Sequence, residues 1–335
     1  VMDAFYTLYK SGYQTFSLQT VIRVMSGNME QDITAQKIAR LKESVEKKYA
    51  VGAFDTLDDN FTEAIVAAAE EEGLPVILMV PNFFADDRDE RQMSFYFNRL
   101  LDRCQRATVP VCLHLDHGNS FACCVKAIHG GCTSVMFDGS ALPVEENMAI
   151  TRELVRIAHS CGVSVEAEIG HVGSPEGGEL EASDVDTSKY TKPEDAKRFV
   201  EETGVDALAV AVGTVHGLFK GTPKIDTERL DQIRELVKIP LVLHGGSGLP
   251  ESEFRAAIEH GINKINFFTG LSLAASGAID AKLKEFNGKI HYIELINAAH
   301  EGCRFGIGTW EEIGAPFRGG SSVSRSERTN NATVI

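Results

Sequence analysis

The chain has 335 residues, 43% of them hydrophobic and 24% charged, the balance of a soluble globular protein. That length allows two domains, but an α/β barrel reaches it as one unit. The net charge of −15 with no Lys/Arg-rich stretch argues against a nucleic-acid partner, and no run of 18 apolar residues is present to span a membrane.

Residues 1–28 show no clean period and end in a Ser-Gly-Asn turn signal, so they read as an appendage. Residues 29–48 have helical spacing, with Ile33, Ile38, Leu41 and Val45 apolar between charges. From there strands and helices alternate. Strands are predicted at 50–54, 75–80, 111–115, 133–137, 163–169, 205–212, 240–243 and 263–267. Helices follow them at 61–72, 89–103, 120–129, 143–161, 193–203, 226–237, 250–260 and 271–286. A Gly-rich, acidic loop spans 170–192 between the fifth strand and its helix. The strands are short and apolar on both faces, as a buried parallel sheet requires. Eight strand–helix units in strict alternation predict a (β/α)8 barrel over residues 29–304. An open doubly wound sheet is the alternative, but no GxGxxG follows the first strand. A further helix is predicted at 289–303, then a C-terminal tail at 305–335, largely disordered because its last part is Ser/Asn/Thr/Gly-rich.

The seven cysteines are odd in number, contain no CxxC and sit mostly in apolar runs, the pattern of reduced packing thiols. No charged-then-apolar leader precedes a small-residue cleavage site, so the expected location is cytoplasmic. The first residue is Val1 rather than Met, as in a processed or excised piece of a longer chain.

Barrel chemistry lies at the C-terminal ends of the strands. There the third strand ends in His114-Leu115-Asp116-His117-Gly118, the fourth in Asp138-Gly139-Ser140, and the fifth carries Glu166 and Glu168. The sixth ends in Gly213-Thr214-Val215-His216-Gly217, the seventh in His244-Gly245-Gly246-Ser247-Gly248, and the eighth in Asn266 and Thr269. His117, His216 and His244 are each followed by Gly at a barrel mouth, and three imidazoles with an open fourth position make a catalytic zinc site. A lone His in such a position is more often a packed or capping residue, and His129, His159, His260, His291 and His300 are read so. The turn Gly245–Gly248 before a helix offers backbone amides and a hydroxyl to a phosphate, with Lys220 as the one nearby cation.

These strand ends resemble those of the class II, zinc-dependent fructose-bisphosphate and tagatose-bisphosphate aldolases. The resemblance covers roughly residues 33–290. It rests on Leu115-Asp116-His117-Gly118, Met136–Ser140, Glu166–Gly170, Gly213–Gly217 and Leu243–Ser247. It implies one zinc ion per chain on His117, His216 and His244, with Glu168 beside the metal, and a monovalent cation as a further candidate cofactor. It implies Asp116 as the acid/base at the substrate C4 hydroxyl. Gly217, Gly245, Ser247 and Thr269, with Lys220 nearby, would hold the phosphate of dihydroxyacetone phosphate, and Asn266 would touch its C2–C3 end. A Glu of the loop after the fifth strand, Glu176 or Glu179, would exchange a proton at the donor carbon. The implied reaction is reversible aldol cleavage of a ketose 1-phosphate or 1,6-bisphosphate, in a homodimer or homotetramer.

The sequence departs from that family on the aldehyde side. Asp55 stands where the family usually has Asn, and Pro81 stands where a Ser helps hold a far phosphate. Ala141 replaces a His, Phe268 an acidic residue or Ala, and Gly270 a common acid. Two other readings compete with an aldolase. A non-catalytic sugar-phosphate-binding domain of a larger polypeptide would have no need of Asp116. A metal-dependent hydrolase would usually add a metal-bridging Asp or Lys, and none is evident.

Overall fold

The computed structural model describes Ser44 and residues 49–86, 90–172, 180–181, 187–217, 219–220 and 223–314. The predicted appendage at 1–28 and the tail beyond 314 lie outside the described residues, as does the helix expected at 29–48 apart from helical Ser44.

Eight parallel strands close into a barrel: β1 (Val51–Asp55), β2 (Val76–Pro81), β3 (Val111–Gly118), β4 (Ser134–Phe137), β5 (Ser164–Ile169), β6 (Ala207–Val210), β7 (Leu241–Leu243) and β8 (Ile262–Phe267). Each pairs with its neighbours in chain order, and β1 pairs with β8 to close the ring. Each strand is followed by its helix: α1 (Asp59–Glu72), α2 (Glu90–Arg106), α3 (Phe121–Gly130), α4 (Val144–Ser160), α5 (Pro193–Thr203), α6 (Thr227–Leu236), α7 (Glu251–Glu259) and α8 (Thr269–Glu285). The alternation predicted from sequence is therefore the (β/α)8 barrel.

Local signals set the helix ends. Asp58 caps α1 by accepting from the Asn60 and Phe61 amides at 2.8 and 3.0 Å, and Gly73 ends it in the left-handed conformation at φ 69°. Alternate strand residues such as Leu78, Leu113, Val135, Val165 and Leu208 face the helix ring and form one continuous apolar cluster with it. A fully buried Phe97 or Phe199 there stabilises the fold by roughly 1.5–3 kcal/mol.

The residues of the opposite parity fill the barrel itself. Val51, Ala53, Ile77, Met79 and Cys112 form a small apolar cluster on one side, and Ala207, Ala209 and Val242 another. Between them stand polar interior residues: His114, Glu166 and Lys264 are all almost fully buried. Branched aliphatics usually occupy such positions.

The segment 170–192, expected as loop throughout, contains a two-residue strand, Leu180–Glu181, pairing in parallel with Phe219–Lys220, and a helical turn at Thr187–Lys189. The final helix, α9 (Tyr292–Gly314), runs past residue 304, where the sequence reading starts the tail. It packs on α8 and α1. Gly302 permits the close approach, since a Cβ there would meet the Ala274 carbonyl oxygen at 2.6 Å. No proline interrupts the sequence until Pro316. The described residues include no helix long and apolar enough to cross a membrane. None of the seven cysteines is in a disulfide.

Candidate active site

At the C-terminal mouth of the barrel a cleft of about 400 Å³ is lined by residues from seven strand ends, among them Asp55, Asp116, His117, Asp138, His216, Ser247 and Asn266. Asp116 and His117 are consecutive, and in a regular strand they would point to opposite faces. The β3–β4 register slips between Leu115 and Gly118, and His117 takes a positive φ of 47°. The irregularity turns both side chains into the cleft, and the Asn82 side-chain amide holds the His117 carbonyl at 2.8 Å.

His216 follows β6 and His244 follows β7. With His117 they form a triangle of near-perpendicular rings whose centroids are 4.8, 4.6 and 5.8 Å apart. One nitrogen from each lies within 4.8 Å of the others. His117 Nε2 and His244 Nδ1 stand 2.9 Å apart. Two nitrogens on one tetrahedral metal would be about 3.3 Å apart. Buried His216 Nε2 has no hydrogen-bond partner, and the Val172 backbone contributes a hydrogen bond to this imidazole.

A second layer fixes two of these rings. His117 Nδ1 bonds Asp138 Oδ2 at 2.8 Å, and Asp138 Oδ1 accepts from the Ser140 amide and hydroxyl at 3.1 and 2.7 Å. His244 Nε2 bonds Glu166 Oε1 at 3.0 Å, whose Oε2 accepts from Lys264 Nζ at 2.7 Å. Such outer partners orient a ligand and raise its basicity. Glu168 Oε1 accepts from the Val172 amide at 3.2 Å, while Oε2 has no partner and lies 4.0 Å from His244 Nδ1.

The electrostatics favour a cation. Burial and the charge on His117 lower the His216 pKa to about 4, and burial with His117 and Lys264 drives that of His244 well below its ordinary value. Burial would also lower the His117 pKa, but Asp116 and Asp138 outweigh it and raise the value to about 10. Burial, reinforced by Asp138, raises the Glu168 pKa to about 8. One proton thus stays on His117 in a nest of carboxyl groups, at the point where a metal would replace it. The three imidazoles could therefore hold a metal with an open fourth position.

Opposite the acids, Gly217, Gly245, Gly246, Ser247 and Thr269 line the other side of the cleft. Gly245 has φ 68°, and a Cβ there would run into the Val215 carbonyl. Ser247 Oγ accepts from the Gly270 amide at 3.0 Å. Phe268 at the α8 N-cap makes no side-chain cap bond, so Ser247 from the β7 turn serves the first turn of this helix beside cleft-lining Thr269.

A profile of the class II fructose-bisphosphate aldolases matches residues 36–304. The chain belongs to this family. A fructose-bisphosphate aldolase of Geobacillus stearothermophilus is 44% identical over 239 residues, 71% of this chain and 82% of that protein. A probable fructose-bisphosphate aldolase of Bacillus subtilis is 42% identical over the same shares. Among solved structures, the YdjI aldolase of Escherichia coli K12 superposes with a TM-score of 0.72 at 32% identity, covering 83% of this chain and 96% of that one. One from Coccidioides immitis, described as a putative fructose-1,6-biphosphate aldolase, gives 0.73 at 26% identity, with 85% and 97% covered.

The aldolase thus brings together most of the site residues expected from sequence. Asp55, Asp116, His117, His216, Gly217, Gly245, Ser247, Asn266 and Thr269 share one cleft. Glu168 lies buried behind the histidines. Lys220 sits on the two-residue strand beyond Gly217. Glu176 and Glu179 fall outside the described residues. Sequence reasoning missed three supporting groups. Asp138 was visible in the Asp-Gly-Ser turn without its link to His117. Glu166 shares the inward parity of Glu168, two residues on. Lys264 lies within β8 below the mouth and anchors Glu166 from there at 2.7 Å.

Proposed function

We propose that the aldolase catalyses zinc-dependent, reversible cleavage of a ketose 1-phosphate or 1,6-bisphosphate to dihydroxyacetone phosphate and an aldehyde. The observation that carries this reading is the convergence of three imidazole nitrogens, one without a partner, beside buried Asp116. His117 through Nε2, His244 through Nδ1 and His216 through Nε2 would hold the ion. Zinc, when bound, supplies a Lewis acid that polarises a ketose carbonyl.

The chain's own residues do the rest. Asn266 Nδ2 donates to Asp116 Oδ1 at 2.9 Å and fixes the carboxylate, leaving Oδ2 to take the C4 hydroxyl proton. The Asn266 carbonyl oxygen has no partner and is placed to accept from a substrate hydroxyl. The phosphate of the donor half settles against Gly217, Gly245, Ser247 and Thr269, where backbone amides and the α8 N-terminus supply the positive potential that an acidic chain lacks elsewhere. Lys220 assists there, and Glu176 or Glu179 exchanges the proton at the donor carbon. The catalytic unit is residues 29–304, active in the cytoplasm as a homodimer or homotetramer, with 1–28 and the C-terminal tail as appendages.

A non-catalytic sugar-phosphate-binding domain would keep the glycine side of the cleft without needing Asp116 or its hold by Asn266. The test is zinc content together with a coupled assay for dihydroxyacetone phosphate. About one zinc per chain with product release supports the aldolase. Sugar-phosphate binding without release supports the alternative.

A further inference from the structure

The two sides of the cleft are made of different materials. The side built by the ends of β6, β7 and β8 is glycine, hydroxyl and backbone amide. The side built by the ends of β1 and β3 is carboxyl. Asp55 closes β1, is 4% exposed, lines the cleft, and its Oδ1 has no hydrogen-bond partner. Asp116 comes from β3, and β2 between them ends in Pro81, which has no N–H to offer an anion. Phe268, 36% exposed, also lines the cleft. Among the described residues no lysine or arginine lines it. The Lys264 ammonium acts on Asp55 and Asp116 from the layer below but is tied to Glu166 at 2.7 Å.

From this asymmetry we propose that Asp55 determines specificity for the aldehyde half, reading a hydroxyl on an uncharged aldehyde, so that the preferred substrates are ketose 1-phosphates with no second phosphate. The proposal rests on the aldolase reading and names its substrate class. A buried carboxyl oxygen without a partner is rare and calls for a donor. A substrate hydroxyl supplies that donor, whereas a phosphate brings only acceptors and charge. The Asp55–Asp116 pair presents carboxyl oxygens to this side of the cleft, and no lysine or arginine among the described cleft-lining residues stands beside it to receive an anion. A phosphate beside it is repelled in a partly buried setting where water screens poorly. The same phosphate on the glycine side meets amides and no carboxyl except across the metal centre.

The experiment measures kcat and KM of the zinc-loaded full chain for fructose and tagatose 1-phosphates and the matching 1,6-bisphosphates. It repeats them with Asp55→Asn and Asp55→Ala, each checked for fold by circular dichroism. The expected result is a kcat/KM at least tenfold higher for a 1-phosphate than for its bisphosphate. In Asp55→Asn that ratio falls at least fivefold, mainly through a lower KM for the bisphosphate. Asp55→Ala loses the preference as well, and serves if the first variant does not fold. A wild-type preference below tenfold, or a ratio that moves less than fivefold in a folded variant, overturns the proposal while leaving the aldolase intact. Release of dihydroxyacetone phosphate from none of the four ketoses removes the aldolase reading and this proposal with it.

Discussion

The upper layer of the barrel interior, His117, His216 and His244, and the layer beneath it, His114, Glu166 and Lys264, use the same kinds of side chain but are satisfied differently. Below, each group has its partner inside the protein. Lys264 Nζ donates to Glu166 Oε2 at 2.7 Å and lies 3.4 Å from His114 Nε2, and His114 Nδ1 bonds Ser134 Oγ at 2.8 Å. Above, His216 Nε2 and Glu168 Oε2 are buried with no partner, and two imidazoles share one contact of 2.9 Å. Buried polar groups are rarely left so. The lower layer is satisfied within the protein and positions; the upper, open layer keeps unpartnered atoms and could hold a metal. Glu166 joins the two, with one oxygen on His244 and the other on Lys264.

The largest effect comes from removing a residue of the open layer. His244→Ala deletes one of the three nitrogens proposed to hold the metal, and we expect zinc and activity both to be lost after dialysis against chelator. Elemental analysis beside the turnover assay checks this. Full activity in a metal-free sample would break the distinction between the layers. Asp116→Asn comes next. It keeps the Asn266 contact and all three imidazoles, so zinc should stay at about one per chain while kcat drops by roughly 10²–10⁴-fold. A loss under about threefold would transfer the proton role to another carboxylate.

The layer comparison is sharpened by Glu166→Gln. His244 loses its carboxylate partner and Lys264 its counter-charge, while no atom leaves the open layer. Outer partners of metal-bound histidines typically contribute about 10–100-fold in affinity. Zinc binding measured by competition with a chromophoric chelator should weaken by that amount, and the melting temperature should fall because a buried ion pair is broken. Unchanged zinc affinity would make Glu166 a purely structural group.

Much of this was legible in the sequence, and the failures have physical causes. Eight short apolar strands between amphipathic helices give the barrel, because burial on both faces of a parallel sheet leaves few other arrangements. Three His-Gly steps at strand ends give His117, His216 and His244, because Gly217 and Gly245 take left-handed turns there and a Cβ at Gly118 would meet the Met136 carbonyl oxygen. Asp116 and His117 entering the same cleft contradicts strand alternation, and only the β3 bulge explains it. Glu166 and Lys264 were harder to read, since a charged residue inside a barrel strand carries no local signal of its partner, which here is 98 positions away in sequence. The satisfaction of the lower layer comes from pairing across the barrel, and sequence spacing does not encode it.

The smallest effect, and the one that separates bound from unbound states, is the pH dependence of the metal-free protein. In that form Asp116 and Asp138 overcome burial and raise His117 to about 10. A histidine whose folded pKa exceeds its unfolded value of about 6.5 adds stability that is complete below pH 6.5 and lost as pH climbs toward 10. Glu168 acts in the same direction. Burial and Asp138 raise its pKa to about 8 from 4.5, so its ionisation, easy in the unfolded chain, is opposed in the folded one, and stability declines from pH 4.5 to about 8. Both groups therefore predict that the melting temperature of chelator-treated protein falls steadily between about pH 6.5 and 10. When zinc occupies the three imidazoles the His117 proton is gone and the carboxyl groups face a divalent charge, so the zinc-loaded protein should show a flatter profile over that range. Melting curves of the two forms in matched buffers provide the measurement. Parallel profiles would mean that His117 carries no extra proton in the metal-free protein, and the open layer would then be neutral rather than poised for a cation.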